Sequence, residues 1–222
     1  MKLMGDGTYW IPDGDTFRYW SQDYEKTQFS HIARYLNKRR LALDVGSHVG
    51  LWANRLALLF ESVECFEPVP AHVECFKRNC GASNLVLHEV GLSDKAGNLS
   101  MNVISEGNTG MSSLERVYGV RSSKAPVPVF PLDSYDFENV DFIKLDVERH
   151  EISVLRGAMN LLSRCKPLVF IEDHLPNKPN SGVGFLERIG YQRLPLPLNR
   201  SGYDISDKGR DNYLMGHHEN LQ

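Results

Sequence analysis

One heptapeptide restricts the folds open to this chain more than any other feature: Asp44-Val45-Gly46-Ser47-His48-Val49-Gly50. It ends the short apolar run Leu41 to Val45 and leads into the helical pattern Val49 to Phe60. Glycine at both ends of such a turn lets the backbone reverse tightly and approach a ligand closely. A strand, a glycine turn and a helix make the first half of a β-α-β unit. That unit belongs to a mainly parallel sheet covered on both faces.

The rest of the chain continues the alternation. Val63 to Phe66 reads as a strand, and Ala71 to Cys80 as a helix with Val73, Phe76 and Cys80 on one face. Leu85 to Val90 is a third strand. Residues 97–130 break the pattern. Two β-like runs, Leu99 to Ile104 and Val127 to Phe130, flank a loop rich in Gly, Ser and Asn from Ser105 to Ser113. Such a loop is expected to be mobile and to close over a ligand. Alternation resumes with a strand at Val140 to Leu145, one helix through Ile152, Leu155, Met159 and Leu162, and a strand at Leu168 to Ile171. A helix from Val183 to Ile189 and strands at Tyr191 to Leu194 and Tyr213 to Met215 close the chain. Upstream, residues 1–24 are irregular or short strand. Tyr24 to Asn37 is helical on the spacing of Phe29, Ile32, Ala33 and Leu36, and Lys38-Arg39-Arg40 complements the dipole at its end. The expected architecture is α/β: a Rossmann-like, doubly wound, mainly parallel sheet with a β-rich insertion. An N-terminal segment and helix (1–40) precede one domain (41–222), with the insertion at about 97–130.

The bulk properties exclude several classes. The chain has 222 residues, 41% apolar and 24% charged, which is ordinary for a folded domain. A formal net charge of -3 favours neither nucleic acid nor an anionic membrane as partner. Cys65, Cys75, Cys80 and Cys165 form no C-x-x-C pair and read as free thiols in a reducing compartment. No apolar stretch reaches the ~20 residues of a membrane helix, and Asp6, Asp13 and Asp15 interrupt any signal-peptide pattern. The expectation is a cytoplasmic protein without membrane or nucleic-acid partners. Nothing in the sequence fixes its oligomeric state.

Ligands of doubly wound sheets bind outside the carboxyl ends of the strands. A dinucleotide fingerprint there reads G-x-G-x-x-G, with a pyrophosphate on the helix N-terminus. Here Asp44 takes the first glycine's place; its carboxylate repels a pyrophosphate and attracts an ammonium. A P-loop is excluded, because no Gly-Lys-Ser/Thr follows. S-adenosylmethionine (SAM) carries an ammonium and a sulfonium and no phosphate, and is the cofactor this turn suits. Gly46, Ser47, His48 and Gly50 complete the turn. Glu67-Pro68, 21 residues after Gly46, ends the second strand, where an acid accepts hydrogen bonds from ribose hydroxyls. Gly91-Leu92 falls where an adenine ring packs.

Two polar clusters end the later strands: Lys144-Leu145-Asp146-Val147-Glu148-Arg149-His150-Glu151 and Glu172-Asp173-His174. Methyl transfer is an in-line displacement that requires the acceptor to be positioned and its proton removed. A hydroxyl acceptor needs a general base or a metal. His150 or His174 is the candidate base. Alternatively, Asp146 with Glu172 or Asp173 holds a divalent metal such as Mg²⁺ through oxygen ligands. The absence of an N-P-P-Y or D-P-P-Y motif argues against the amino-methylation those motifs serve.

With these residues in place, the chain resembles the FkbM family of SAM-dependent methyltransferases over roughly residues 41–175. The resemblance rests on Leu43-Asp44-Val45-Gly46 with Gly50, Phe66-Glu67-Pro68, Gly91-Leu92-Ser93-Asp94-Lys95 with Gly97, Gly110 to Leu114 and Val127 to Asp133. Its most specific part is Asp141-Phe142-Ile143-Lys144-Leu145-Asp146-Val147-Glu148, followed by Glu151, Leu155, Gly157 and Ala158; Pro167 to Glu172 also matches. The resemblance implies a class I methyltransferase fold and O-methylation of a sugar or polyketide hydroxyl, hence a small-molecule or glycan acceptor. A methyltransferase acting on protein or nucleic acid, and a SAM-binding module without catalysis, are the alternatives. A nicotinamide-dependent oxidoreductase is a further one, against which Asp44 argues. Two departures stand out. Arg149 occupies a position where the family usually has glycine, and Ser47-His48 replaces a pair such as Ala-Asn.

Overall fold

Alternate residues of each strand face opposite sides of a sheet, and here both sides are apolar. The computed structural model describes residues 1–4, 6–17, 21, 23–178, 180–196 and 212–220. Within them the strands are β1 (Lys2–Leu3), β2 (Trp10–Ile11), β3 (Leu41–Val45), β4 (Ser62–Phe66), β5 (Leu85–His88), β6 (Gly91–Leu92), β7 (Gly97–Val103), β8 (Ser123–Phe130), β9 (Val140–Leu145), β10 (Leu168–Glu172), β11 (Tyr191–Leu194) and β12 (Asn212–His217). The helices are α1 (Lys26–Ile32), α2 (Leu51–Ala57), α3 (Pro70–Asn79), α4 (Glu151–Arg156), α5 (Met159–Cys165) and α6 (Gly182–Arg188).

The central sheet has seven strands in the order β11-β12-β10-β9-β3-β4-β5. β3, β4, β5, β9 and β10 run parallel, and β12 lies antiparallel between β10 and β11. Ala42, Val63, Cys65, Phe142, Phe170 and Leu214 pack on one face against Ile32, Trp52, Leu56 and Phe76 of α1 to α3. Leu43, Val45, Ile143, Leu145, Val169 and Ile171 pack on the other against Leu155, Leu161, Val183 and Leu186 of α4 to α6. The doubly wound, mainly parallel architecture is therefore present. Its strand order reverses between β3 and β9, which is the switch point where such sheets bind ligands. The insertion is a separate three-stranded sheet, β6-β8-β7.

Several local expectations are corrected. α1 spans only Lys26–Ile32, so Lys38-Arg39-Arg40 lies beyond it rather than at its end. Arg40 instead clamps the start of β9, its Nη2 lying 2.5 Å from Asp141 Oδ1 and its Nε 3.0 Å from Oδ2. The single helix expected through Ile152 to Leu162 is two. Asp133 breaks it: its N–H donates to the Gly157 carbonyl at 2.8 Å, and its carboxylate accepts the Asn160 and Leu161 N–H groups at 2.9 Å, capping α5. The loop at Ser105 to Ser113 is hydrogen-bonded to distant segments. The Thr109 hydroxyl donates to Asp15 Oδ2 at 2.5 Å, Thr16 N–H donates to the Gly107 carbonyl at 2.8 Å, and Ser113 Oγ donates to the Glu148 carbonyl at 2.5 Å. All four cysteines are free thiols, and no helix among the described residues is long and apolar enough to cross a membrane.

Candidate active site

The carboxyl ends of β3, β4, β9 and β10 open on one cavity of about 340 Å³. The turn after β3 forms its floor because two strand-end loops nearly touch. Gly46 has φ 81°, and a Cβ there would lie 1.8 Å from the Asp146 carbonyl oxygen. Ser47 lines the cavity, but its hydroxyl is committed to the backbone. It donates to the Asp44 carbonyl at 2.6 Å and accepts Phe66 N–H at 3.2 Å. Gly50 does not reach the cavity. With φ 94°, its missing Cβ makes room for Cys80 Sγ and the Phe76 ring of α3.

Glu67 is the fixed acid of one end. Its carboxylate accepts the His48 N–H and the Val69 N–H at 2.9 Å each, with His72 Nδ1 at 3.2 Å. A carboxylate offers about four lone-pair sites, so one remains for a ligand hydroxyl. Pro68, Gly91 and the buried Leu92 continue this wall. His48 packs edge-on to His72 at 4.1 Å with Nε2 3.2 Å from Thr109 Oγ1; burial and the neighbouring His72 hold its pKa well below the usual value, so it is neutral.

Asp44 is not on the cavity wall, which corrects the expectation of a direct contact with a ligand ammonium. It is fully buried, and neither carboxylate oxygen has a hydrogen-bond partner among the described residues. Lys144 stands in front of it, with Nζ 3.8 Å from Asp44, 3.1 Å from Asp146 and 2.8 Å from the Gly46 carbonyl. Burial pushes the Asp44 carboxyl up to about 6 against the pull of Lys144. Burial opposes the charge on Lys144, but Asp146 and Asp44 together hold its pKa above the usual value. Sequence reasoning placed Lys144 in the strand motif without giving it a role. Its isolation in an apolar strand beside two acids was the available signal.

The other end of the cavity gathers Asp146, Glu148, Glu172 and His174. One oxygen from each of the three carboxyls lies within 4.8 Å of the others. His174 Nε2 is 3.7 Å from Glu148 and 4.0 Å from Glu172. Burial and the Asp146 charge raise the Glu172 pKa well above the usual range, while Lys144 overcomes burial to lower that of Asp146. His150 does not join this group. Its Nδ1 lies 2.8 Å from Glu115 and its Nε2 3.0 Å from Ser93 Oγ, so both ring nitrogens tie the insertion to the strand ends. Asp173 is also elsewhere: it accepts the N–H groups of Val183 and Leu175 at 2.9 and 3.0 Å, holding α6.

Among the described residues, the acidic Glu25, Glu67, Asp146, Glu148 and Glu172 line the cavity against two cations, Lys144 and Arg149. Such a wall suits a cationic ligand without phosphate and repels a pyrophosphate. The sequence matches the profile of the methyltransferase FkbM domain over residues 44–203. The chain belongs to the FkbM methyltransferase family. It therefore carries a SAM-dependent methyltransferase domain of class I fold. A solved FkbM methyltransferase from Methylobacillus flagellatus KT is 18% identical with a TM-score of 0.53; the match covers 81% of this chain and only 44% of that one. The precorrin-6y C5,15-methyltransferase of Geobacter metallireducens GS-15 is 11% identical over 97% and 96% of the two chains, with a TM-score of 0.52. SMU.1697c of Streptococcus mutans, a putative methyltransferase in complex with SAH, is 11% identical over 85% and 95%, with a TM-score of 0.50. No curated protein matches the chain. Against the FkbM pattern, Arg149 is the notable departure. It keeps a left-handed backbone, φ 79°, directly after Glu148 at φ 51°, where glycine pays no steric penalty. The turn is held by Glu151, which accepts the Arg149 and Val147 N–H groups at 2.9 and 3.3 Å.

Proposed function

We propose that the protein O-methylates a hydroxyl of a sugar or similar polyhydroxylated small molecule. The observation that carries this reading is the cluster of Asp146, Glu172 and His174 at the far end of a cavity whose near end offers a prearranged carboxylate at Glu67. SAM supplies an electrophilic methyl carbon on a sulfonium when bound. Glu67 fits its ribose hydroxyls, Leu92 and Pro68 its adenine, and the Lys144–Asp146 pair the zwitterionic amino-acid end. Asp44 acts behind this surface by anchoring Lys144. The acceptor hydroxyl sits among Asp146, Glu172 and His174. His174, with Nε2 3.7 Å from Glu148 and 4.0 Å from Glu172, takes the proton of the attacking hydroxyl.

A divalent cation on Asp146, Glu148 and Glu172 is the second reading, favoured by the mutual reach of their oxygens. The acidic cavity wall speaks against a phosphodiester acceptor. The test is transfer of labelled methyl from SAM to a panel of free hexoses and 6-deoxyhexoses, with and without EDTA. The account expects turnover on a sugar that survives EDTA and falls ~10²–10⁴-fold in Asp146→Asn and His174→Ala. Loss with EDTA and recovery with Mg²⁺ selects the metal reading. Transfer only to protein or RNA contradicts the sugar acceptor.

A further inference from the structure

Among the described residues, Glu25 is the carboxyl on the cavity wall that has no part in the chemistry above. It comes from the N-terminal segment, outside the residues 44–203 that match the family profile. Its backbone is left-handed, φ 54°, at the start of α1, yet its side chain makes no capping hydrogen bond to that helix. It is 6% exposed, and burying a carboxyl is costly unless it is hydrogen-bonded.

Two neutral donors hold it. Trp52 Nε1 donates to Oε2 at 2.7 Å, and Asn212 Nδ2 donates to Oε1 at 3.0 Å. Both donors are themselves fixed. The Trp52 ring stacks on Phe170 at 4.9 Å, and Asn212 is the register partner of Glu172 across β10 and β12. Glu25 is thus brought beside the strand end that carries the proposed reaction centre, with Asp146 and Lys144 as electrostatic neighbours. Each carboxylate oxygen accepts about two hydrogen bonds. One donor on each leaves both oxygens able to accept from a ligand in the cavity.

We propose that Glu25 is a specificity-determining residue: its carboxyl accepts a hydrogen bond from a second hydroxyl of the acceptor and so selects which hydroxyl faces the methyl group. The assignment rests on the polyhydroxylated-acceptor reading. It also places part of the acceptor site on a segment that precedes the family domain. A site built to pair a substrate hydroxyl discriminates strongly against the analogue that lacks it.

The experiment uses the full chain, labelled SAM and free hexoses, followed by the monodeoxy analogues of the hexose with the highest kcat/KM. Glu25→Ala and Glu25→Gln are compared with the wild type. In the wild type, removing one particular hydroxyl, other than the one methylated, should lower kcat/KM at least tenfold. In Glu25→Ala the same deletion should cost less than threefold, with SAM affinity near wild type and a melting temperature lowered by the stranded Trp52 and Asn212 donors. Glu25→Gln guards against misfolding: its oxygen still accepts from Trp52, and a turned Asn212 amide accepts its N–H. It should fold like the wild type and blunt the same deletion. An unchanged deoxy pattern in both variants overturns the role of Glu25 alone. A loss of SAM affinity parallel to the loss of kcat/KM makes Glu25 a cofactor ligand and also overturns it. No wild-type turnover on any hexose overturns the sugar reading, and the assignment of Glu25 with it.

Discussion

Replacing Lys144 by methionine tests the electrostatic arrangement beneath the cavity. Methionine keeps the length and apolar stem of the lysine and removes its charge. Asp44 is then a buried carboxylate with no hydrogen-bond partner among the described residues and no cation at 3.8 Å. At an effective dielectric of about 20, a pair at that separation interacts by about 4 kcal/mol. Removing one partner of a buried pair typically costs about 3–5 kcal/mol, so Lys144→Met should lose that much stability in urea at pH 8. The loss should shrink on acidification. The Asp44 pKa is already raised to about 6. A carboxyl raised in the folded state contributes stability below its unfolded pKa of about 4 and loses it as pH rises through the folded value. Without Lys144 the folded value rises further, so the variant suffers most at pH 8 and least near pH 5. Asp44→Asn in the Lys144→Met background removes the stranded charge and should recover about 2 kcal/mol or more. A loss below about 1 kcal/mol that is flat with pH, or no rescue by Asp44→Asn, refutes the reasoning.

Arg149→Gly relieves a left-handed non-glycine backbone at φ 79° and should stabilise the protein by about 1 kcal/mol, raising Tm by about 2–4 °C in a thermal melt; a lower Tm contradicts the strain. Gly46→Ala drives a Cβ to 1.8 Å from the Asp146 carbonyl, whereas Gly50→Ala meets the movable Cys80 Sγ at 2.2 Å. Calorimetry should therefore show lost SAM affinity in the first and retained affinity in the second, and the reverse order contradicts the assignment of the two glycines. Asp173→Ala unties α6 and should cost about 1–2 kcal/mol in urea without lowering turnover; lost turnover at unchanged stability would return Asp173 to the reaction centre.

The sequence and the structure agree where local chemistry decides the outcome. The strand–glycine turn–helix at Asp44 to Gly50, the acid at Glu67 and the polar strand ends at Asp146 and Glu172 all emerge from short-range patterns. They converge because parallel strands deliver their carboxyl ends to one edge. What escaped were long-range pairings. Asp133 splits the helix at Gly157 from 24 residues away, as the two sequence positions show. Both nitrogens of His150 are claimed by Glu115 and Ser93, which only the folded insertion brings near. Asp15 accepts the Thr109 hydroxyl proton across the chain, a contact that the loop's Gly and Ser content does not announce. Asp44 and Lys144 illustrate a subtler limit. The spacing marks Asp44 as unusual, but whether it or Lys144 faces the cavity depends on side-chain direction at adjacent, paired positions of β3 and β9.

The most direct test of the account is calorimetric titration of the protein with S-adenosylhomocysteine, with NAD as competitor. The account predicts micromolar affinity, about -8 kcal/mol. It also predicts at least a tenfold loss in Glu67→Ala, because one fixed carboxylate receives the ribose, and no displacement by equimolar NAD, because the acidic wall repels its pyrophosphate. Unchanged affinity in Glu67→Ala, or NAD displacing S-adenosylhomocysteine at equal concentration, would contradict it.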